Sequence, residues 1–236
     1  MAANPRREAG TGMSGHPQHT VDEDFGDGRA FWEGRYAESD RIWSGEPNTA
    51  LVREVAELPP GRALDLGCGE GADVVWLARQ GWTVTGTDIA ETALVRARAH
   101  AAEAGVADRT RFEQHVLGAS FPEGAYDLVT ASFLHSPDVS FPREAILRRA
   151  AEAVAPGGTL LVIGHAGLAP WETYEEGDPH LALHLPSPQE VLESLRLPEG
   201  EWDVLTAAEH DRVQHAPDGE AHHRRDNALK VRRHAA

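Results

Sequence analysis

Cysteine is almost missing from this sequence. Cys68 is the only one in 236 residues, so no intramolecular disulfide is possible. Long apolar runs are missing as well. Nothing approaches the roughly 18–20 residues of a membrane span, and the N-terminus has no apolar signal-peptide core. Basic charge is scarce. Lys plus Arg number 22 against 38 Asp plus Glu, a net charge of −16. So acidic a surface repels phosphate backbones, which argues against non-specific nucleic-acid binding and against an anionic membrane as partner. The ordinary use of such charge is solubility. A cytoplasmic location is the expectation, for a monomer or homodimer with neither nucleic acid nor membrane as partner.

What is present is a globular chain. Hydrophobic residues make up 41%, and 236 residues can bury a sizeable core within one domain. Residues 1–24 are rich in Gly, Pro, His and charge without apolar period, and read as a disordered tail. Residues 25–236 read as a single domain. It divides into N-terminal lid helices (25–60), a core (61–165), a loop on the acceptor side (166–186), and a C-terminal helix and hairpin (187–236).

The periodicity predicts helices over Pro47–Glu57, Ala72–Arg79, Ala90–Ala104 and Arg143–Val154, and one starting at Ser187 with Pro188 in its first turn. Strands are expected at Arg62–Leu66, Trp82–Thr87, Arg109–His115, Tyr126–Ser132 and Thr159–Gly164. Trp202–Gln214 and Asn227–Arg232 read as a terminal hairpin. Alternation of short apolar strands with helices implies an α/β fold, a mostly parallel, doubly wound sheet covered on both faces.

Chemistry concentrates at Asp65-Leu66-Gly67-Cys68-Gly69-Glu70-Gly71-Ala72. A glycine-rich turn between strand and helix lets backbone approach a ligand closely, and the helix N-terminus adds partial positive charge. The spacing also fits the dinucleotide pattern G-x-G-x-x-G/A. Asp65 discriminates. A pyrophosphate at this turn would meet an adjacent carboxylate, whereas a ligand with cationic groups and no phosphate would be attracted. Asp88 follows 23 residues later, at the end of Thr83–Thr87, where an acid can accept both hydroxyls of a ribose. The bland alternative for both acids is turn capping.

These residues resemble the class I S-adenosylmethionine-dependent methyltransferases. The likeness rests on Leu64–Gly71, Thr85-Gly86-Thr87-Asp88-Ile89, Tyr126-Asp127-Leu128-Val129 and Ala155-Pro156-Gly157-Gly158-Thr159-Leu160, in that order. It implies a Rossmann-like seven-stranded sheet, six strands parallel and one antiparallel, and S-adenosyl-L-methionine as cofactor. A narrower likeness covers Trp32-Glu33-Gly34-Arg35-Tyr36 and Ile42-Trp43-Ser44-Gly45-Glu46-Pro47-Asn48. It is to the leading segment of the thiopurine, thiol, halide and tellurite-resistance methyltransferases. That segment implies a lid, with Trp43 near the methionine part and Arg35 or Tyr36 near the mouth. The implied cofactor residues are Trp43, Asp65, Gly67, Cys68, Gly69, Asp88, Ile89, Leu117 and Ser132. One departure stands out. Where the family commonly has an acid for the adenine amino group, this sequence has Val116. Packing by Ile89 and Leu117, with backbone or His115 for the polar contact, is the expected substitute.

Methyl transfer is an in-line displacement, and alignment supplies much of its acceleration. A hydroxyl or amine acceptor also needs a base. His135 and His165 follow the fourth and fifth strands, at the carboxyl ends where open α/β sheets bind ligands. They are the candidate catalytic residues, and lining the pocket is their bland alternative. No spacing matches a metal-ligand pattern, with His180 and His184 considered. The expected function is methylation of a small-molecule thiol, hydroxyl or amine. The competing readings are an NAD-dependent oxidoreductase and a non-catalytic binding protein on the same fold.

Overall fold

In a computed structural model, residues 28–136, 140–167, 184–215 and 219–235 are described. The expected tail lies outside them, as does most of the acceptor-side loop, including Trp171, Tyr174 and His180. The helices are α1 (Arg29–Ala37), α2 (Thr49–Val55), α3 (Ala72–Arg79), α4 (Glu91–Glu103), α5 (Arg143–Glu152) and α6 (Pro188–Leu195). The strands are β1 (Arg62–Leu66), β2 (Thr83–Asp88), β3 (Thr110–Gln114), β4 (Tyr126–Ser132), β5 (Val154–His165), β6 (Trp202–His215) and β7 (Ala221–Arg233). They form one seven-stranded sheet in the order β3-β2-β1-β4-β5-β7-β6. Only β7 runs against its neighbours, pairing antiparallel with both β5 and β6. The expected Rossmann-like sheet with its terminal hairpin is therefore present.

Period-2 alternation sends successive strand residues to opposite faces. Leu64, Leu66, Val129, Ala131, Leu160 and Val162 pack against α5 and α6. Ala63, Leu128, Leu161 and Ile163 face α2, α3 and α4. Both faces are thus apolar, which is why the strands read as nearly continuous hydrophobic runs. Asp65 breaks the pattern. It occupies a position on the α2–α4 face that the alternation assigns to a core residue, and it is 2% exposed.

Several boundaries differ from the sequence reading. The second helix begins at Thr49 because Asn48 caps it, its side chain accepting from the N–H groups of Ala50 (2.8 Å) and Leu51 (3.3 Å). Pro47 lies outside. Strand β5 begins at Val154, since Tyr126 pairs with Val154 before a register shift lets Leu128 pair with Thr159. Strand β7 begins at Ala221, six residues before the expected Asn227. Its first half, Ala-His-His-Arg-Arg-Asp, is polar because it pairs with the outer part of β6 beyond the core.

One buried polar network clamps α2 to this hairpin. Glu54 is 8% exposed. Its carboxylate takes Lys230 Nζ (2.7 Å), the Thr206 hydroxyl (2.8 Å) and His210 Nε2 (3.0 Å). Desolvation would raise the Glu54 pKa, but the Lys230 and Thr206 hydrogen bonds outweigh it and hold the carboxyl below its usual value. Lys230 is the only lysine in the sequence. Breaking a buried pair leaves one partner uncompensated. Glu54→Gln should therefore cost about 3 kcal/mol in denaturant unfolding. A carboxyl lowered in the folded state stabilises fully above its unfolded pKa of about 4.3, and that stability is lost as pH falls below it. The difference between wild type and variant should accordingly shrink on acidification below about pH 4; a difference that stays constant to pH 3 contradicts the clamp.

Candidate active site

The leading segment lies on the glycine turn. Helix α1 is tied to the start of α4, because the Glu33 carboxylate accepts from the N–H groups of Glu91 (2.7 Å) and Thr92 (3.2 Å). A carboxylate there also answers the positive end of the helix. Glu70, inside the turn, does the reverse job. It accepts from the backbone N–H groups of Ile42 (3.2 Å) and Trp43 (3.1 Å), and it pairs with Arg96 at 2.8 Å. Arg96 in turn donates to the Tyr36 carbonyl at 2.7 Å. Tyr36 is buried, and its hydroxyl accepts from the Trp43 indole N–H at 3.1 Å.

These rings explain the glycine at position 69. A Cβ there would stand 2.9 Å from the Tyr36 hydroxyl and 3.3 Å from Trp43 Nε1, with φ at +53°. Gly67 is likewise left-handed (φ +72°), and a Cβ would stand 2.9 Å from Leu134. The turn's N–H groups are largely engaged within the turn. Cys68 donates to the Thr87 carbonyl (2.8 Å), Gly71 to the Cys68 carbonyl (2.9 Å), and Gly69 to the Asp88 carboxylate (2.9 Å). Close backbone approach, rather than open donors, is what the glycines provide. Burial pushes the Cys68 thiol well above its usual pKa, with Asp88 adding to the effect, so it is a packed side chain and no thiolate nucleophile.

Three carboxylates meet beneath this turn. Asp65 ends β1, Asp88 ends β2, and Asp73 opens α3. Asp65 accepts from the Thr130 hydroxyl at 2.7 Å. Asp73 accepts from the Asn48 N–H at 2.7 Å. Asp88 accepts from the N–H groups of Gly69 and Ala90. Burial raises the pKa of all three, and for Asp65 the charges of Asp73 and Asp88 raise it further. No cation contributes to any of the three among the described residues.

The adenine side departs from expectation. His115 is held by the Ser120 hydroxyl (3.0 Å) and Glu113 (3.1 Å), so its ring is already occupied. The Val116 carbonyl accepts from Ala119 and Ser120. Leu117 packs against the core on the α5 side. Ile89 is half-buried after β2, and its carbonyl accepts from the Gln114 amide at 2.9 Å.

The carboxyl ends of β4 and β5 bring both candidate histidines together. The rings of His135 and His165 are 6.2 Å apart, and Trp32 lies 6.3 Å from His135. Phe133 stacks on His165 at 4.2 Å. Its φ of +53° is rare for a residue with a side chain, and such strain gathers at functional sites. His135 keeps an exposed edge; desolvation, then the charges of His165 and Arg143, draw its pKa below the ordinary histidine value. Two further groups complete the cluster, Asp226 from β7 and Arg212 from β6, 2.5 Å apart. Sequence reading missed both, since an antiparallel register across β5, β7 and β6 leaves no mark in a polar run. It also missed Asp73 and Glu70, although an acid in the first turn of a helix is a visible signal. Arg35, expected near the mouth, pairs with Glu38 on the surface. His184 pairs with Glu190 at 3.3 Å. No group of three metal-ligating side chains occurs among the described residues, nor does any helix long and apolar enough to span a membrane.

A Rossmann-like sheet of this order, with acids closing its first two strands, defines a class. In fold and motif the chain is similar to the class I S-adenosylmethionine-dependent methyltransferases, and residues 63–158 match the methyltransferase domain family. Among particular relatives, the 2-heptyl-1-hydroxyquinolin-4(1H)-one methyltransferase of Mycobacteroides abscessus is 31% identical over 51% of this chain and 54% of its own. The chain spans about half the length of the curated relatives it matches. A solved structure from work on the conversion of a disulfide bond into a thioacetal group during echinomycin biosynthesis superposes with a TM-score of 0.63. It is 24% identical and covers 87% of this chain and 91% of that one. TehB from Haemophilus influenzae superposes with a TM-score of 0.56 at 16% identity, over 79% of this chain and 62% of its own. These two show the fold.

The residues fit the cofactor of that class. S-adenosylmethionine carries an ammonium and a sulfonium, and three acids, two of them buried and one half-buried, without a compensating cation among the described residues suit such a ligand. A carboxyl raised in the folded state stabilises fully only below its unfolded pKa of about 3.9, and that stability is lost as pH rises through the folded value. The ligand-free protein should therefore melt at lower temperature as pH is raised from about 5 to 8. Asp65→Asn should flatten that decline and raise the melting temperature at pH 8 by a few degrees, at about 2–4 °C per kcal/mol. Equal pH slopes for the two proteins would contradict an uncompensated acid at Asp65.

Proposed function

We propose that this protein transfers a methyl group from S-adenosylmethionine to a small-molecule acceptor at oxygen, nitrogen or sulfur. The carrying observation is the trio of buried Asp65, buried Asp88 and half-buried Asp73 under a glycine turn, with no cation to balance them among the described residues. A dinucleotide pyrophosphate would add to their repulsion, which disfavours the NAD-dependent alternative. The net charge of −16 disfavours a nucleic-acid acceptor. The quinolone-methylating relative, a small-molecule enzyme by name, supports the same reading.

In this reading Asp65 and Asp73 hold the cationic amino-acid end, and Asp88 holds the ribose hydroxyls. Gly67, Cys68 and Gly69 allow close backbone approach. Trp43 and Tyr36 cover the turn, and Ile89, Leu117 and Ser132 line its surroundings. Bound S-adenosylmethionine supplies a methyl group activated on a sulfonium. The chain aligns the acceptor against it, and His135 or His165 takes the acceptor's proton. His135 stays neutral near pH 7, because its pKa is lowered.

The second reading, a binding protein without catalysis, draws on Val116 and the engaged His115. Calorimetric titration separates the possibilities. S-adenosylmethionine and its demethylated product should bind in the range of about 1–100 μM, a free energy of roughly −8 to −5 kcal/mol, and NAD should give no heat. Incubation with thiols, phenols and amines should release demethylated cofactor. NAD binding without S-adenosylmethionine binding would sink the proposal; binding without release from any acceptor would favour the second reading.

A further inference from the structure

The geometry points to Asp226 as a positioning residue that fixes His165 as the base for the acceptor's proton. Asp226 is 1% exposed and lies directly across from His165 in the β5–β7 register. His165 Nδ1 stands 3.5 Å from Asp226 Oδ1, and Arg212 Nε stands 2.5 Å from Asp226 Oδ2. Directly paired strand residues share a face, as do residues two apart. His165, Asp226 and Arg212 therefore all project to the face that carries α1 and the glycine turn.

The second observation is that this cluster is not satisfied by hydrogen bonding. Both Asp226 carboxylate oxygens, His165 Nδ1 and Arg212 Nε are buried without an aligned hydrogen bond. Buried polar atoms are nearly always satisfied, so an unsatisfied group calls for a reason. A structural ion pair would align its bonds. A poised base is the alternative, because catalytic hydrogen bonds are often long before substrate binds. The ring is held meanwhile by the Phe133 stack at 4.2 Å, with the Arg212 guanidinium 5.8 Å from the centre of the same Phe133 ring.

The inference rests on the methyl-transfer reading and assigns its base. A carboxylate at Nδ1 favours the tautomer with the proton there and leaves Nε2 bare. The acceptor's O–H or N–H proton passes to Nε2. Its heteroatom bonds to the methyl carbon as the carbon–sulfur bond breaks, and that electron pair stays on sulfur. The sulfonium's positive charge ends on the His165 imidazolium, whose proton then leaves to solvent. Asp226 stabilises that imidazolium, while Arg212 lies against the other carboxylate oxygen of Asp226 at 2.5 Å. The acceptor class is thus one with an ionisable proton, a phenol, enol, N-hydroxyl or amine, rather than a preformed thiolate. The groups facing His165 are His135 from the loop after β4, Asp226 from β7 and, through Asp226, Arg212 from β6.

Nitrogen-15 NMR of the full chain tests this, with His165→Gln used to assign the His165 signals. Wild type should show His165 protonated at Nδ1 and bare at Nε2. In Asp226→Asn that preference should be lost, while affinity for demethylated cofactor stays within about twofold. With any phenol or amine that supports cofactor demethylation, turnover should fall at least about tenfold, with the acceptor's KM little changed. A wild-type spectrum with the proton on Nε2 overturns the inference, whether or not Asp226→Asn folds. So does an unchanged tautomer or unchanged turnover in a folded variant. Failure of cofactor binding in wild type would instead overturn the methyl-transfer reading, and leaves the tautomer result to stand by itself.

Discussion

Three carboxylates gathered at the ends of β1 and β2 and the start of α3 are the constraint on which the rest of this molecule is arranged. Each is raised above its ordinary pKa by burial, and Asp65 also by its two neighbours. Such a cluster works against folding unless something positive joins it. The surrounding structure supplies hydrogen bonds from Thr130, Asn48, Gly69 and Ala90 but no cation among the described residues. That arrangement suits a cationic ligand. Stability is conceded at the turn and recovered elsewhere, in two apolar cores and in the Glu54–Lys230 clamp that fixes α2 on the hairpin.

The leading segment belongs to the same arrangement. Glu70 sits within the turn yet binds backbone of the segment above it, and Glu33 binds the first turn of α4. Tyr36 and Trp43 thereby lie where any side chain at position 69 would clash. Leading segment and turn are therefore one construction. A change at Gly69 is felt by both.

Much of this was legible in the sequence because its signals are local. The strand-glycine-helix pattern, the acids at positions 65 and 88 and the proline-glycine-glycine step near the start of β5 depend on neighbours a few residues apart. Two histidines at strand ends were readable for the same reason. Asp226 and Arg212 were not. Their meaning comes from antiparallel pairing of β7 with β5 and β6, which sets Asp226 across from His165, a residue 61 positions earlier in the chain. The polar run that carries Asp226 looks like a loop until its pairing is known. Leu117, an apolar residue after β3, is half-buried and packs against the α5-side core.

The central claim is that positive charge on the ligand balances the buried acids. Proton exchange on binding tests it most directly. Calorimetry at pH 7 in buffers of different ionisation enthalpy measures the protons released when each ligand binds. The account predicts net proton release with S-adenosylmethionine, as its charge drives the carboxyls to ionise, and less with the demethylated product, which lacks the sulfonium. Equal exchange for both ligands, or proton uptake with S-adenosylmethionine, would contradict it.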